Sequence, residues 1–311
     1  MNYKANQIIQ LVLKFGLPLL SVLFIWYKIN TSAAGFDQVF LTLNKYDVRL
    51  VFCFVIINLI LSSFNWLLDS LKWKLVLKPK INISFKIALF QNLKSHSLAI
   101  FTPNRLGDYI AKALFYDSFQ RQYVAISNGV SQFSQLLSTI VFGGFGLVYF
   151  INFTFKEFQN FQFLVIGLVV ILVVFAFIQY HPKLRKKLIL LKPYLSKFPK
   201  QIGLSLLKHL VFSHQLVLIL WAFGIKLSYL DTLMAVNVMY ILSSVIPSFF
   251  VVDVAIKSSL GLLIFGYLNQ TPSLILTGFS LMWLFNFALP AMIGSLLQGL
   301  YRTKLKANVI T

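Results

Sequence analysis

Two stretches of this chain set an acid and a base one helical turn apart, shortly after a proline. The first reads Thr102-Pro103-Asn104-Arg105-Leu106-Gly107-Asp108-Tyr109-Ile110-Ala111-Lys112, and the second Ile246-Pro247-Ser248-Phe249-Phe250-Val251-Val252-Asp253-Val254-Ala255-Ile256-Lys257. Proline breaks an incoming helix and frees backbone groups, and a helix that starts after it turns its positive dipole end to the break. Asp followed by Lys four residues on is the favourable order for an ion pair within a helix. Arg105 either joins the first pair or projects into a cavity as a fork-shaped donor for phosphate. His96, just before the first break, reads as a proton carrier, a head-group donor or a hydrogen bonder within a bundle. The chemistry on offer is recognition of a charged group, with Pro103, Arg105, Asp108, Lys112, Pro247, Asp253, Lys257 and His96 as candidate binding residues. The plainer reading is a pair of interfacial turns with ordinary salt bridges.

The elements that carry these residues follow from composition. Of 311 residues, 58% are hydrophobic and 12% charged, against about a quarter charged in ordinary soluble domains. Residues 122–155, 160–180, 232–252 and 258–301 contain no Asp, Glu, Lys or Arg, and a helix of about 20 residues crosses a bilayer core. Further candidate spans are 8–29, 48–68 and 202–221. Asn269-Gln270-Thr271-Pro272 supplies a turn inside the longest window. The fold class expected is all-α, a polytopic helical membrane protein forming one integral membrane domain over residues 1–311, with halves 1–155 and 156–311. Residues 8–29 read as a retained anchor, since Lys14 and Pro18 interrupt a run longer than a signal's apolar core.

The net charge of +20, from 28 Lys and Arg against 8 acids, raises nucleic acid and anionic membrane surfaces as partners. Placement favours the membrane. Lys72, Lys74, Lys78 and Lys80 flank one span, Lys183 to Lys200 form one basic connector, and Arg302, Lys304 and Lys306 lie near the end. Such clusters favour the cytoplasmic side and attract anionic head groups. Membrane lipids, chiefly anionic, are therefore the expected partners, and nucleic acid is not. Placing the basic clusters inside requires an even number of crossings between Lys80 and Lys183. Residues 83–101, which carry Lys86, Lys94 and His96, are then a re-entrant segment with 102–116 as its return limb, enclosed by protein or lining a wet cavity. The same parity makes the span after Pro247 carry Asp253 and Lys257. The count is about eight spans plus the re-entrant segment, with both termini cytoplasmic. Broken helices at matching places in two halves make a weak inverted repeat and point to a midplane site.

Other residues refine this picture. Cys53 is the single cysteine, so neither a disulfide framework nor a thiolate cluster is expected, and Phe52 and Phe54 beside it suggest burial. His209 and His214 have no acid nearby in sequence, so no metal site is expected, and no cofactor is implied. Ser131, Gln132, Ser134, Gln135 and Ser138 stripe one span as interhelical hydrogen bonders or as a polar path. Gly143, Gly144 and Gly146 suit close helix approach. Trp26, Tyr27, Trp66, Trp73, Tyr149, Tyr180, Trp221 and Tyr301 fall near span ends, as interfacial aromatics do.

Lys72-Trp73-Lys74-Leu75-Val76-Leu77 is similar to an Arg-Trp-x-x-x-Leu stretch, and Pro103 to Asp108 resembles a Pro-Gly-Arg-x-Gly-Glu motif, of the lysylphosphatidylglycerol synthase transmembrane-region family of flippase-like proteins. Pro247 followed by Asp253 to Gly261 resembles its second motif, with Ser248 to Val252 replacing a glycine-rich part and Asp replacing Glu. The resemblance implies movement of lipids between leaflets, as for aminoacylated phosphatidylglycerol, or handling of lipid-linked sugars or hopanoids in relatives. It carries over Pro103, Arg105, Gly107 and Asp108, with Pro247 and Asp253. Lysine transfer is not expected, because no soluble synthase domain follows Thr311. The leading expectation is a lipid flippase or scramblase, not an enzyme, in which Arg105 binds phosphate while Asp108 and Asp253 orient the lysines or a cationic head group. The rivals are an integral membrane enzyme modifying a lipid head group and a non-transporting partner subunit.

Overall fold

The computed structural model of the chain describes residues 47–99, 106–153, 189–246, 250–300 and 308–309. The expected anchor 8–29, the span 160–180 and the charged tail from Arg302 lie outside the described residues, as do Pro103, Arg105 and Pro247.

Helix α1 (Val48–Leu77) starts where the Asp47 carboxylate accepts the backbone N–H of Arg49 at 2.9 Å, which satisfies one of the free donors of the first turn. It runs well past the expected end at residue 68. Polar residues at 58, 62, 65, 69 and 72 recur every three to four positions on one stripe, and this stripe faces the inside of the bundle. Helices α2 (Phe85–Ala99) and α3 (Leu106–Leu114) follow, each shorter than the roughly 20 residues of a crossing. Helix α4 (Ser118–Phe153) covers the serine and glycine stripe. After a 3₁₀ turn (Ile189–Tyr194), α5 (Phe198–Ala222) begins with Pro199 in its first turn, where the missing N–H costs nothing. It ends at Gly224, whose φ of +95° is open to glycine.

Ser228 caps α6 (Tyr229–Val245) by accepting the Asp231 N–H at 3.1 Å, and its hydroxyl donates to the Asp231 carboxylate at 2.6 Å. Helix α7 (Phe250–Tyr267) contains both Asp253 and Lys257. The expected turn at 269–272 is present, with Asn269 at φ +58°. From it α8 (Pro272–Trp283) continues through a π turn (Leu284–Ala288) into α9 (Leu289–Leu300). Two-residue strands, Ile81–Asn82 and Asn308–Val309, pair antiparallel.

Among the described residues, four helical stretches are long and apolar enough to cross a membrane: Val48–Leu77, Ser118–Phe150, Phe198–Ala222 and Pro272–Leu297. The chain is an all-α helical membrane protein. Its outer face is apolar, with Phe52, Ile60, Phe145 and Leu296 exposed, and this corrects one expectation. Cys53 is exposed on that face rather than buried, because apolar neighbours in a spanning helix mark the lipid side as readily as the core.

Two of the apolar cores among the described residues pack against α1. One gathers Leu216, Leu220, Met239, Phe265 and Phe279 from α5 to α8, with Phe54 of α1 packed against it. The other gathers Trp73, Val76, Leu77, Tyr116, Val124 and Tyr194 around the opposite end of α1. The polar stripe of α1 lies between them. Gly146 brings α4 against α6: a Cβ there would sit 2.9 Å from the Met234 carbonyl oxygen. Gly143 meets Ile241 in the same seam, whereas Gly144 faces open space.

Candidate functional site

The first charged stretch forms a buried knot. In the first turn of α3, Asp108 accepts from Lys112 Nζ at 3.0 Å, from Asn128 Nδ2 at 2.9 Å and from the Ser95 hydroxyl. Lys112 also donates to Asn128 Oδ1 at 3.1 Å and lies 4.7 Å from the centre of the Trp73 ring. The Trp73 indole donates to Gln91 Oε1 at 2.8 Å, which Tyr116 shares at 3.0 Å. The i,i+4 pair read from the sequence is thus present, at 1% and 4% exposure, and it ties α1, α2, α3 and α4 together. Gly107 is buried beside it.

The second pair has a different setting. Lys257 and Asp253 are 2.7 Å apart on α7, each about one-fifth exposed, and Lys257 lies over Tyr240 and Phe287. They line a cavity of about 530 Å³ within the bundle, together with His96, Gln132, Gln135 and Thr139. Exposed Ser244, Val245 and Ile246 bring the lining to the end of α6, beside the second break. Asp108 and Lys112 are not among the lining residues.

A third ion pair, not anticipated from sequence, faces the same cavity. Lys208 of α5 bridges Asp69 of α1, and both line the wall. The stripe at 58, 62, 65, 69 and 72 was the available signal, since polar groups recurring on one face of a membrane helix point into the bundle. Its other members are accounted for. Asn65 donates to Asn286 at 2.8 Å, Asn286 to Gln215 at 2.9 Å, and Gln215 to Ser62 at 2.8 Å and to the Asn58 carbonyl at 3.1 Å. Lys72 donates to Gln135 Oε1 at 2.9 Å.

The α4 stripe divides between its two readings. Ser131 and Ser134 bond Gln201 and Ser205 of α5 at 3.0 and 2.9 Å, which is interhelical hydrogen bonding, while Gln132 and Gln135 line the cavity. His209 Nε2 lies 3.0 Å from Asn237 Oδ1 with its ring stacked on Phe142, and His214 lies 2.6 Å from the Tyr229 hydroxyl. Trp73 is 1% exposed and Trp66 lines the cavity, so both face the bundle rather than its outer surface.

Helices of membrane-spanning length around a buried, ion-paired cavity define an integral membrane protein that accommodates charge inside its bundle. Residues 11–265 match the family described as lysylphosphatidylglycerol synthase TM region, and the chain belongs to that family. No curated protein and no solved structure matches it. The first two of the stretches that carry the resemblance lie close together, since Lys112, four residues after Asp108, lies over Trp73.

Proposed function

We propose that this protein exchanges phospholipids between the leaflets of the cytoplasmic membrane, passing the head group through the charged cavity while the acyl chains stay in lipid. The observation that carries the reading is the convergence of Asp69–Lys208 and Asp253–Lys257 on one cavity among membrane-spanning helices. Charge at membrane depth is costly and is found where a polar species must be accommodated. No bond of the lipid is made or broken, and exchange is passive or ion-coupled.

In this reading both termini are cytoplasmic and α2 and α3 form the re-entrant limb. The basic residues Lys78, Lys80, Arg121, Lys192 and Lys200 are exposed around the ends of α1, α4 and α5. They suit the anionic cytoplasmic face, with which each such charge interacts by about 1 kcal/mol. Arg105, on the segment between α2 and α3, is assigned to the phosphate on its way to the cavity, apart from the lining charges.

Reconstitution in liposomes tests the proposal. Tail-labelled phospholipid should lose its leaflet asymmetry with the parent protein and keep it with Lys257→Gln or Arg105→Ala, each at unchanged protein content. Recovery of chemically altered lipid would instead identify a head-group enzyme, and equal exchange by parent and variants would remove the cavity from the mechanism.

A further inference from the structure

Two observations bear on which head group the cavity accepts. The first is its charge balance. Among the described lining residues, Asp69 and Asp253 face Lys208 and Lys257, and their formal charges cancel. They are arranged as two carboxylate–ammonium pairs on different helices. A ligand with a net charge would pair with one member and leave another uncompensated where water is scarce, which is strongly unfavourable. A ligand carrying one positive and one negative group opens one pair and leaves every charge matched.

The second observation is the set of polar atoms that lack a protein partner at this wall. Among the described residues, Trp66 Nε1 and Gln135 Nε2 are buried donors without an acceptor, and Asn65 Oδ1 is a buried acceptor without a donor. The Gln135 assignment is fixed, because Lys72 can only donate and therefore takes Oε1. Buried polar groups are normally paired. Phosphate oxygens suit the two donors, and an ammonium suits the acceptor. The two features belong to different residues and lead to the same ligand class.

Taking the cavity as the head-group site of the exchange reading above, we infer that its preferred ligand is a zwitterionic head group, with one phosphate and one ammonium and no net charge. The Asp69–Lys208 bridge is the specificity element, with each partner exchanging the other for a charge of the ligand. The cavity therefore selects against anionic and cationic lipids, although anionic lipids gather at the basic end of the bundle.

The experiment uses the full chain in vesicles containing tail-labelled phosphatidylethanolamine, phosphatidylglycerol or a trimethylammonium diacyl lipid. Both leaflet exchange and binding, read by quenching of tryptophan fluorescence, are measured. Parent protein should favour phosphatidylethanolamine over each of the others by on the order of tenfold in binding. Asp69→Asn leaves a lysine uncompensated and should shift preference to phosphatidylglycerol. Lys208→Gln should shift it to the cationic lipid, and the double variant, which keeps no charge at the bridge, should show neither shift and a weakened preference among the three. Parent preference for phosphatidylglycerol or the cationic lipid, or an order unmoved by the single variants, overturns the assignment. If all three lipids exchange at equal rates and bind equally, the selectivity falls while exchange stands. If phosphatidylethanolamine binds selectively but no lipid changes leaflet, exchange falls and the site assignment stands.

Discussion

Asp108 and Asp253 carry the same sequence signature and opposite structural roles. Asp108 is 1% exposed and holds Lys112, Asn128 and Ser95. Asp253 is about one-fifth exposed and faces a cavity. Removing one partner of a buried ion pair strands the other charge and costs about 3–5 kcal/mol, whereas replacing both by apolar groups is often neutral. Asp108→Asn should therefore lower the thermal unfolding midpoint in detergent sharply, and Asp108→Leu with Lys112→Met should recover most of the loss. Asp253→Asn should leave the midpoint near the parent value while slowing lipid exchange. Equal midpoints for Asp108→Asn and Asp253→Asn would contradict the division. The pairs themselves were legible, since i,i+4 spacing on one helix is a local property. Asp69–Lys208 was not, because its members lie on helices far apart in the chain and only packing brings them together.

At the scale of elements, the long uncharged windows among the described residues became helices because a membrane leaves the backbone no partner but itself. The stripes on those helices decide what meets what. In α4 the three glycines read as one close-approach motif, yet they do different things. A Cβ on residue 146 would sit 2.9 Å from the Met234 carbonyl oxygen and 3.0 Å from Val238 Cγ2, while one on residue 144 meets nothing within 4 Å. Gly146→Leu should force α4 from α6 and destabilise by about 1–3 kcal/mol, as overpacking does. Gly144→Leu should be close to neutral, and thermal unfolding of both variants in one detergent checks the contrast. Sequence alone could not rank these glycines, because the phase of a helix against its neighbour is a tertiary quantity. The same limit explains Cys53, whose phenylalanine neighbours gave apolarity but not direction. It also explains Trp73, which faces the bundle rather than its outer surface.

The whole molecule stacks three zones along α1: an apolar core around Phe54, the polar stripe from Asn58 to Asp69, and a second core from Trp73 to Leu77 with basic residues around it. Phe279 of the first core lines the cavity, and Leu216, Leu220, Met239 and Phe265 belong to the same apolar core. The lining reaches exposed Ser244 and Val245 at the other end of α6, beside the second break. The asymmetry predicts access from one side only, since ions do not enter an apolar core of native packing density. In the orientation proposed above and with Cys53→Ser as background, a charged, membrane-impermeant thiol reagent added to the cytoplasmic side of oriented vesicles should label Gln132→Cys and Ser244→Cys. It should not label Leu220→Cys or Phe265→Cys from either side. Addition of phosphatidylethanolamine should slow labelling at Gln132→Cys by occupying the cavity, while the two apolar positions stay unreactive. Labelling of Leu220→Cys from the opposite face would show a path through that core and replace one-sided access with a continuous channel.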